Sequence, residues 1–293
     1  MAVEERDPHT GYLTTGHEWG GIKELNTPVP RAVYLFLIAT ALFSVAYWIL
    51  MPAWPTGVTF TKGLLGIDQR TTLEADLREA AAERKTWSDQ IEAKSYDDIR
   101  QDPKLMRIVR QTGQTLYREN CAACHGSSAQ GSKGYPSLTN GSWLWGGDPA
   151  TVAETIRVGI NSSHKDSRAS QMMAFGRDGV LKEREVDDVV DYVRSLSDPK
   201  VARDTPAPRL GAGKAVFAAN CAACHGDDGK GKTEMGAPDL TDHFWIYGGD
   251  LQSVSSSVWS GRQGKMPTWD ERLSALDRKI LALYLTDLPR TAR

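Results

Sequence analysis

The hexapeptide Cys-Ala-Ala-Cys-His-Gly occurs twice, at 121–126 and 221–226, and the two copies hold all four cysteines of the 293-residue chain. A Cys-x-x-Cys pair serves as a redox dithiol, as half of a zinc site, or as the attachment point of a c-type haem. Here histidine follows at once in both copies. In Cys-x-x-Cys-His the two thiols add across the haem vinyl groups, and the turn between them presents the adjacent imidazole to the iron. For zinc the pairs would have to converge, yet Cys124 and Cys221 are 97 residues apart, against roughly 15–20 in a zinc ribbon. A thioredoxin-like dithiol calls for a βαβ context and has no need of the histidine. The motif therefore predicts two covalently bound haems c, on Cys121/Cys124 and on Cys221/Cys224, with His125 and His225 as proximal iron ligands.

The sequence around each hexapeptide repeats too. Gly113 and Tyr117 answer Gly213 and Phe217 at an offset of 100. Pro136-Ser-Leu-Thr139 matches Pro238-Asp-Leu-Thr241, Trp143-Leu-Trp-Gly-Gly-Asp148 matches Trp245-Ile-Tyr-Gly-Gly-Asp250, and Gly159 matches Gly261, all at 102. Tyr192 and Leu196 answer Tyr284 and Leu288 at 92. Two related modules with insertions confined to loops account for this. Each is small enough that a bare apolar core would be marginal and a large bound cofactor a major support.

Haem iron takes or refuses a sixth ligand, which separates electron carriers from gas-binding or catalytic haems. Met266, in Gly264-Lys-Met-Pro267, lies 41 residues after His225. Met172 holds the matching place in Gln171-Met-Met-Ala174, with Met173 as the second choice because it stands where the proline would be. Both lie in loops rather than on a helical apolar face, which favours distal ligation over core packing. Met235 is too near its hexapeptide and reads as packing. His9, His17, His164 and His243 have no counterparts between the repeats and read as surface or hydrogen-bonding groups. Trp143, Trp145, Trp245 and Trp269 are expected to line dry pockets.

Ahead of the modules, residues 32–51 run 20 positions without a charge or a proline, with Pro28, Pro30 and Pro52 at the flanks and Trp54 beyond. At about 1.5 Å per residue this spans a hydrocarbon core of about 30 Å. A cleaved leader fits less well, since 31 residues bearing several acidic side chains precede the run and no small-residue cleavage site follows. Leu73, Leu77, Ala80, Arg84, Trp87 and Ile91 then recur at helical spacing. Residues 62–102 carry 7 basic and 10 acidic side chains, a net −3, and residues 103–197 carry 12 and 10, a net +2, so a boundary is expected near Pro103. The whole chain has a net charge of −2, which lacks the basic field that nucleic-acid binding needs.

The expected architecture is mainly α: a single transmembrane helix followed by two tandem class I cytochrome c domains. Within it, 1–31 is an N-terminal cytoplasmic segment, 32–53 the membrane helix and 54–102 a connecting arm. Residues 103–197 form the first cytochrome c domain, 198–208 a linker and 209–293 the second. Helices are expected at 107–120, 183–196, 210–220 and 274–288. Gly113 and Gly213 are expected to let the closing helix of each module, through Tyr192 and Tyr284, pack at short range against that module's own opening helix.

The run Thr15-Gly-His-Glu-Trp-Gly-Gly-Ile-Lys-Glu-Leu-Asn-Thr-Pro-Val-Pro-Arg31 directly before the membrane segment, with the two Cys-x-x-Cys-His modules, Gly-Gly-Asp and Met-Pro-x-Trp, resembles the dihaem subunit III (FixP/CcoP type) of cbb3-type cytochrome c oxidases along nearly the whole chain. The resemblance implies haem c at the four cysteines with His125, His225, Met172 and Met266 as axial ligands. It leaves the pairing open, each methionine serving the haem of its own module or of the other. It further implies electron transfer from a periplasmic donor cytochrome c, through both haems, toward a monohaem cytochrome c subunit and the haem-copper catalytic subunit that reduces oxygen and pumps protons. On this reading the chain is no enzyme by itself. Because haem c is attached outside the bacterial inner membrane, the modules are expected in the periplasm and the N-terminus in the cytoplasm. Two alternatives differ in observable ways. A free-standing dihaem carrier for another reductase would purify without haem b or copper, and a dihaem peroxidase or gas sensor would need one haem with an open sixth position.

Overall fold

The computed structural model describes residues 5–290; the outermost ends of the N-terminal segment and of the second domain, 1–4 and 291–293, lie outside it. The chain forms two compact units that divide at Arg84.

In the first unit, β1 (Thr14–Trp19) and β2 (Ile22–Leu25) pair antiparallel. Gly20 and Gly21 turn between them with φ of +56° and +88°, conformations that glycine adopts at little cost. The sequence reading anticipated no strands. Helix α1 (Arg31–Leu50) covers the expected membrane segment, begins directly after Pro30 and ends two residues before Pro52. It is the one helix among the described residues long and apolar enough to cross a membrane, and none of its residues is buried. Helix α2 (Gln69–Ala93) contains the expected amphipathic stripe and runs on past the division.

The second unit is all helical: α3 (Tyr96–Gln101), α4 (Pro103–Asn120), α5 (Ala122–His125), α6 (Pro149–Val158), α7 (Glu183–Ser197), α8 (Pro199–Asp204), α9 (Ala207–Asn220), α10 (Ala222–His225), α11 (Leu251–Ser260) and α12 (Ala275–Asp287). Several begin on side-chain caps that the sequence dictates. Asp102 accepts from the backbone N–H of Lys104 and Leu105, Asp148 from Thr151, Asp250 from Ser253, and Ser274 from Asp277. Each satisfies amides that the first helical turn leaves without intrahelical partners.

Two features depart from the expected boundaries. The 198–208 linker is largely helix α8, because Asp198 caps it and Pro199 supplies its first position. The packed unit also starts upstream of the charge shift at Pro103. Ile91 and Ile99 are fully buried with Leu105, Met106, Val109, Ile280 and Leu283 in one apolar cluster. Only the C-terminal end of the amphipathic stripe joins this core; Leu73 and Leu77 are exposed.

Helix pairing within the second unit is exchanged between the repeats. Helix α7 closes on α9 rather than on α4, and α12 closes on α4 and α6. The glycines fix these contacts. A Cβ at Gly113 would lie 2.5 Å from Cβ of Tyr284, and one at Gly213 would run into the Asp188 carbonyl oxygen and the Tyr192 side chain. Each closing tyrosine thus rests on the opening helix of the other repeat. Tyr192 also lies 5.4 Å from the Phe217 ring, and Tyr284 lies 6.1 Å from the Tyr117 ring. An arginine from each opening helix ties the pair outside: Arg110 to Asp287 at 2.7 Å, and Arg209 to Asp191 at 2.7 Å.

Candidate functional site

Each hexapeptide forms a single helical turn, α5 or α10, entered through the end of α4 or α9. In the first, the N–H groups of Cys124 and His125 donate to the Cys121 carbonyl at 3.1 and 3.0 Å; in the second, those of Cys224 and His225 donate to Cys221 at 3.1 and 2.9 Å. The turn brings both thiols and the imidazole to one place. Gly131 and Gly231 then fold the following loop back, donating to the carbonyls of His125 and His225 at 2.9 and 2.8 Å with φ of +71° and +78°.

The loop positions an acceptor for each imidazole. His125 Nδ1 lies 2.9 Å from the Pro136 carbonyl and His225 Nδ1 lies 3.1 Å from that of Pro238. A carbonyl only accepts, so Nδ1 carries the proton and Nε2 is left with its lone pair, the tautomer a metal ligand requires. Burial pushes both imidazoles toward the neutral form, and the proline carbonyls oppose that only in part. Burial also raises the Cys121 and Cys221 thiols to about 11, the neighbouring thiol of each pair adding to the effect. Such thiols lack the thiolate character of a redox dithiol.

Two apolar clusters wall these turns, and each draws its methionine from the other repeat. Around Cys121 and Ala122 lie Tyr117, Ala129, Leu138, Trp143, Val152 and Ile156, together with Met266, Trp269, Leu273 and the face of α12. Around Cys221 and Ala222 lie Phe217, Leu240, Trp245, Val254 and Val258, together with Met172, Phe175 and the face of α7. Met172 is half-buried in its cluster, whereas Met173 beside it is 54% exposed. The two methionine loops are joined through their backbones. Met172 and Arg262 exchange hydrogen bonds of 2.8 and 3.1 Å, and Ile160 and Met266 exchange two of 2.9 Å. Gly159 and Gly261 stand at these crossings with φ near +70°, and a Cβ on either would fall 2.5 Å from the carbonyl oxygen of Met266 or Met172.

The other residues singled out in the sequence separate. Trp143, Trp245 and Trp269 join the cluster walls, but Trp145 does not. It packs against Gly236 beneath the Arg168 guanidinium, with its indole N–H buried and without a partner among the described residues. Met235 is 45% exposed at a loop tip, so it is not the packing residue its position suggested. His9, His17 and His243 are exposed. His164 is mostly buried and bridges Asp270 at 3.2 Å and Arg157 at 3.3 Å. This hydrogen-bonding role links the insertion of the first repeat to the loop following Met266, a pairing that no sequence signal announced.

Three family models match the chain. Residues 11–58 match the N-terminal domain of cytochrome oxidase-cbb3, FixP; residues 111–197 match cytochrome c; residues 208–285 match cytochrome C oxidase, cbb3-type, subunit III. The chain is 42% identical to the cbb3-type cytochrome c oxidase subunit FixP of Bradyrhizobium sp. (strain ORS 278), over 97% of each chain. It is 42% identical to the subunit CcoP of Azospirillum sp. (strain B510), over 98% of this chain and 99% of that one. With CcoP of Cereibacter sphaeroides the figure is 39% over 94% of each. Cytochrome c domains imply covalently bound haem c, and the cysteine pairs, single-tautomer imidazoles and thioether-bearing apolar walls fit it. The chain belongs to the FixP/CcoP family of cbb3-type cytochrome c oxidase subunits.

Proposed function

We propose that the chain is the membrane-anchored dihaem electron-transfer subunit of a cbb3-type oxidase, with crossed axial ligation. One haem c is held by Cys121, Cys124, His125 and Met266, the other by Cys221, Cys224, His225 and Met172. The observation that carries the pairing is that each methionine packs against the same apolar cluster as the cysteine turn of the other repeat. Electrons come from a periplasmic donor cytochrome c and leave toward the monohaem and haem-copper subunits, with oxygen reduction in the latter. The haem modules then lie in the periplasm of a bacterial inner membrane and the N-terminus in the cytoplasm.

When bound, the haem iron supplies a one-electron couple. The chain sets its conditions. Pro136 and Pro238 hold the imidazole protons at Nδ1, so Nε2 faces inward with fixed ring orientation. The thioethers of Met172 and Met266 favour the reduced state relative to a second imidazole. The apolar walls exclude water, which lowers the local dielectric and limits reorganisation when charge changes. The paired methionine loops fix one site relative to the other, so electron transfer needs no domain motion.

The pairing is tested by removing one haem. In a Cys121→Ser/Cys124→Ser background only the second haem remains. Met172→Ala then abolishes its sulfur-to-iron charge-transfer band and turns it high-spin, while Met266→Ala leaves it low-spin. The reverse pattern would show ligation within each repeat.

A further inference from the structure

Immediately after α1 the chain makes a compact fold-back, residues 52–67, whose one charged side chain is Lys62. Part of its backbone is paired from within. Thr61 N donates to the Trp54 carbonyl at 2.9 Å, Thr56 N donates to Thr59 at 2.7 Å, and Thr61 Oγ1 accepts from the N–H groups of Ala53 and Trp54. The returning strand caps the end of α1. Leu64 N donates to the Ile49 carbonyl at 2.9 Å and Leu65 N to the Leu50 carbonyl at 3.0 Å, supplying partners that the last helical turn lacks. Gly63 makes this approach possible, with φ of +67° and its α-carbon against the Leu50 carbonyl, where a side chain has no room. The Trp54 ring packs 5.0 Å from that of Trp48.

The side chains this fold-back presents are apolar and exposed: Trp54 at 53%, Val58 at 99%, Phe60 at 64%, Leu64 at 77% and Leu65 at 57%. We propose that residues 54–65 form a lipid-binding foot that sits in the headgroup–acyl boundary of the outer leaflet and sets the depth of α1. The inference rests on the reading of α1 as a membrane span. The hydrogen bonds decide the occupant, because they place Leu64 and Leu65 at the same depth as Ile49 and Leu50. A 20-residue helix is about 30 Å long, close to the hydrocarbon thickness, so its last turn lies at the interface. Backbone at that depth is tolerated where its polar groups are paired internally, and aromatic residues favour the same zone.

The test uses the assembled oxidase in lipid nanodiscs with an environment-sensitive fluorophore on Leu64→Cys or Val58→Cys, and Leu42→Cys in mid-helix as reference. Signal from the unsubstituted complex is subtracted. The expected result is that labels at 58 and 64 emit to the blue and lose most of their emission to lipid carrying a quencher near its headgroup, but little to aqueous iodide. Quenching by iodide instead would place the foot in water. Protection from both quenchers would place it against a neighbouring subunit. Either result, with Leu42 still quenched from the lipid side, overturns the proposal alone; a Leu42 label quenched from water would overturn the membrane span itself.

Discussion

The two candidate haem sites share their skeleton down to the proline carbonyl behind each histidine, yet the structure around them differs. The site at Cys121 is backed by an extra layer, with Ile91 and Ile99 from the arm buried against α4 and α12. Behind its methionine loop stands a polar cage in which Asp270 meets Arg157, His164 and Arg278 within 3.4 Å. Among the described residues the site at Cys221 has neither. Its helices are held by a tighter crossing, Gly213 lying against backbone of α7 where Gly113 lies against a side chain of α12, and by Arg209 reaching both Asp188 and Asp191. One pocket is stabilised from outside, the other through its closest helix contact. Their common chemistry therefore constrains the turn, the acceptor and the sulfur, and leaves the supporting shell free.

Exchange of the closing helices gives the largest expected effect. A fragment of residues 85–197 contains α4 without α12, and α7 without α9. It is expected to lack cooperative tertiary structure, measured by near-ultraviolet circular dichroism and thermal unfolding, and its haem to lack a methionine ligand. A folded, low-spin fragment would show that the first repeat closes on itself when alone. Adding residues 198–293 should restore both signals.

Next in size is the contrast between the crossing glycines. Gly213→Ala drives a Cβ into the Asp188 carbonyl, which cannot turn aside, and costs at or above the usual 1–3 kcal/mol, roughly, of an overpacked core. Gly113→Ala meets the Tyr284 Cβ at 2.5 Å, an atom that the α12 backbone holds in place but a shallower overlap than the one at Gly213; at both positions the better helix propensity of alanine, about 1 kcal/mol, offsets part of the cost. Gly213→Ala should thus lower the unfolding midpoint more than Gly113→Ala, with the spectral change confined to the second haem. Equal losses would remove the distinction drawn between the two crossings.

Smaller effects follow from the caps that start α6 and α11. The Asp148 and Asp250 carboxyls are held below the usual carboxylate range, chiefly by the side-chain hydrogen bonds of Thr151 and Ser253. A carboxyl whose folded value is lowered stabilises fully above its unfolded value, about 3.9, and loses that contribution as pH falls through the folded one. Acid should therefore weaken both sites below about pH 4. Asp148→Asn keeps the acceptor without the titration and should flatten the dependence at the first site only, whereas Asp148→Ala should cost about 1 kcal/mol at neutral pH.

Local features were legible in the sequence. The Cys-x-x-Cys-His turns, the loops that carry Met172 and Met266 and the four long helices around them follow from motif, spacing and periodicity, all of which act over a few residues. The helix exchange was not legible, because Tyr192 and Tyr284 hold equivalent repeat positions and either fits either glycine; only the three-dimensional path decides. Helix α8 was missed although Asp198-Pro199 is a helix-start signal, since the proline-rich composition of 198–208 outweighed it. The hairpin at 14–25 went unread because its strands are polar and exposed, and only Gly20-Gly21 marks it. The His164 to Asp270 link spans 106 residues and has no periodic trace.

The smallest expected effect sharpens the comparison at one sequence asymmetry between the methionine loops. Met266 is followed by Pro267, whose ring fixes the backbone behind the sulfur; Met172 is followed by Met173. Met172 packs against the same apolar cluster as Cys221 and exchanges backbone hydrogen bonds with Arg262, while Met173 is exposed. Side-chain burial thus selects the sulfur without help from proline. Met173→Leu keeps bulk and apolarity and removes only the thioether, so the charge-transfer band and the low-spin spectrum of the second haem should be unchanged. Loss of that band in Met173→Leu, with its retention in Met172→Leu, would reassign the ligand and make the missing proline, rather than burial, the feature that distinguishes the two loops.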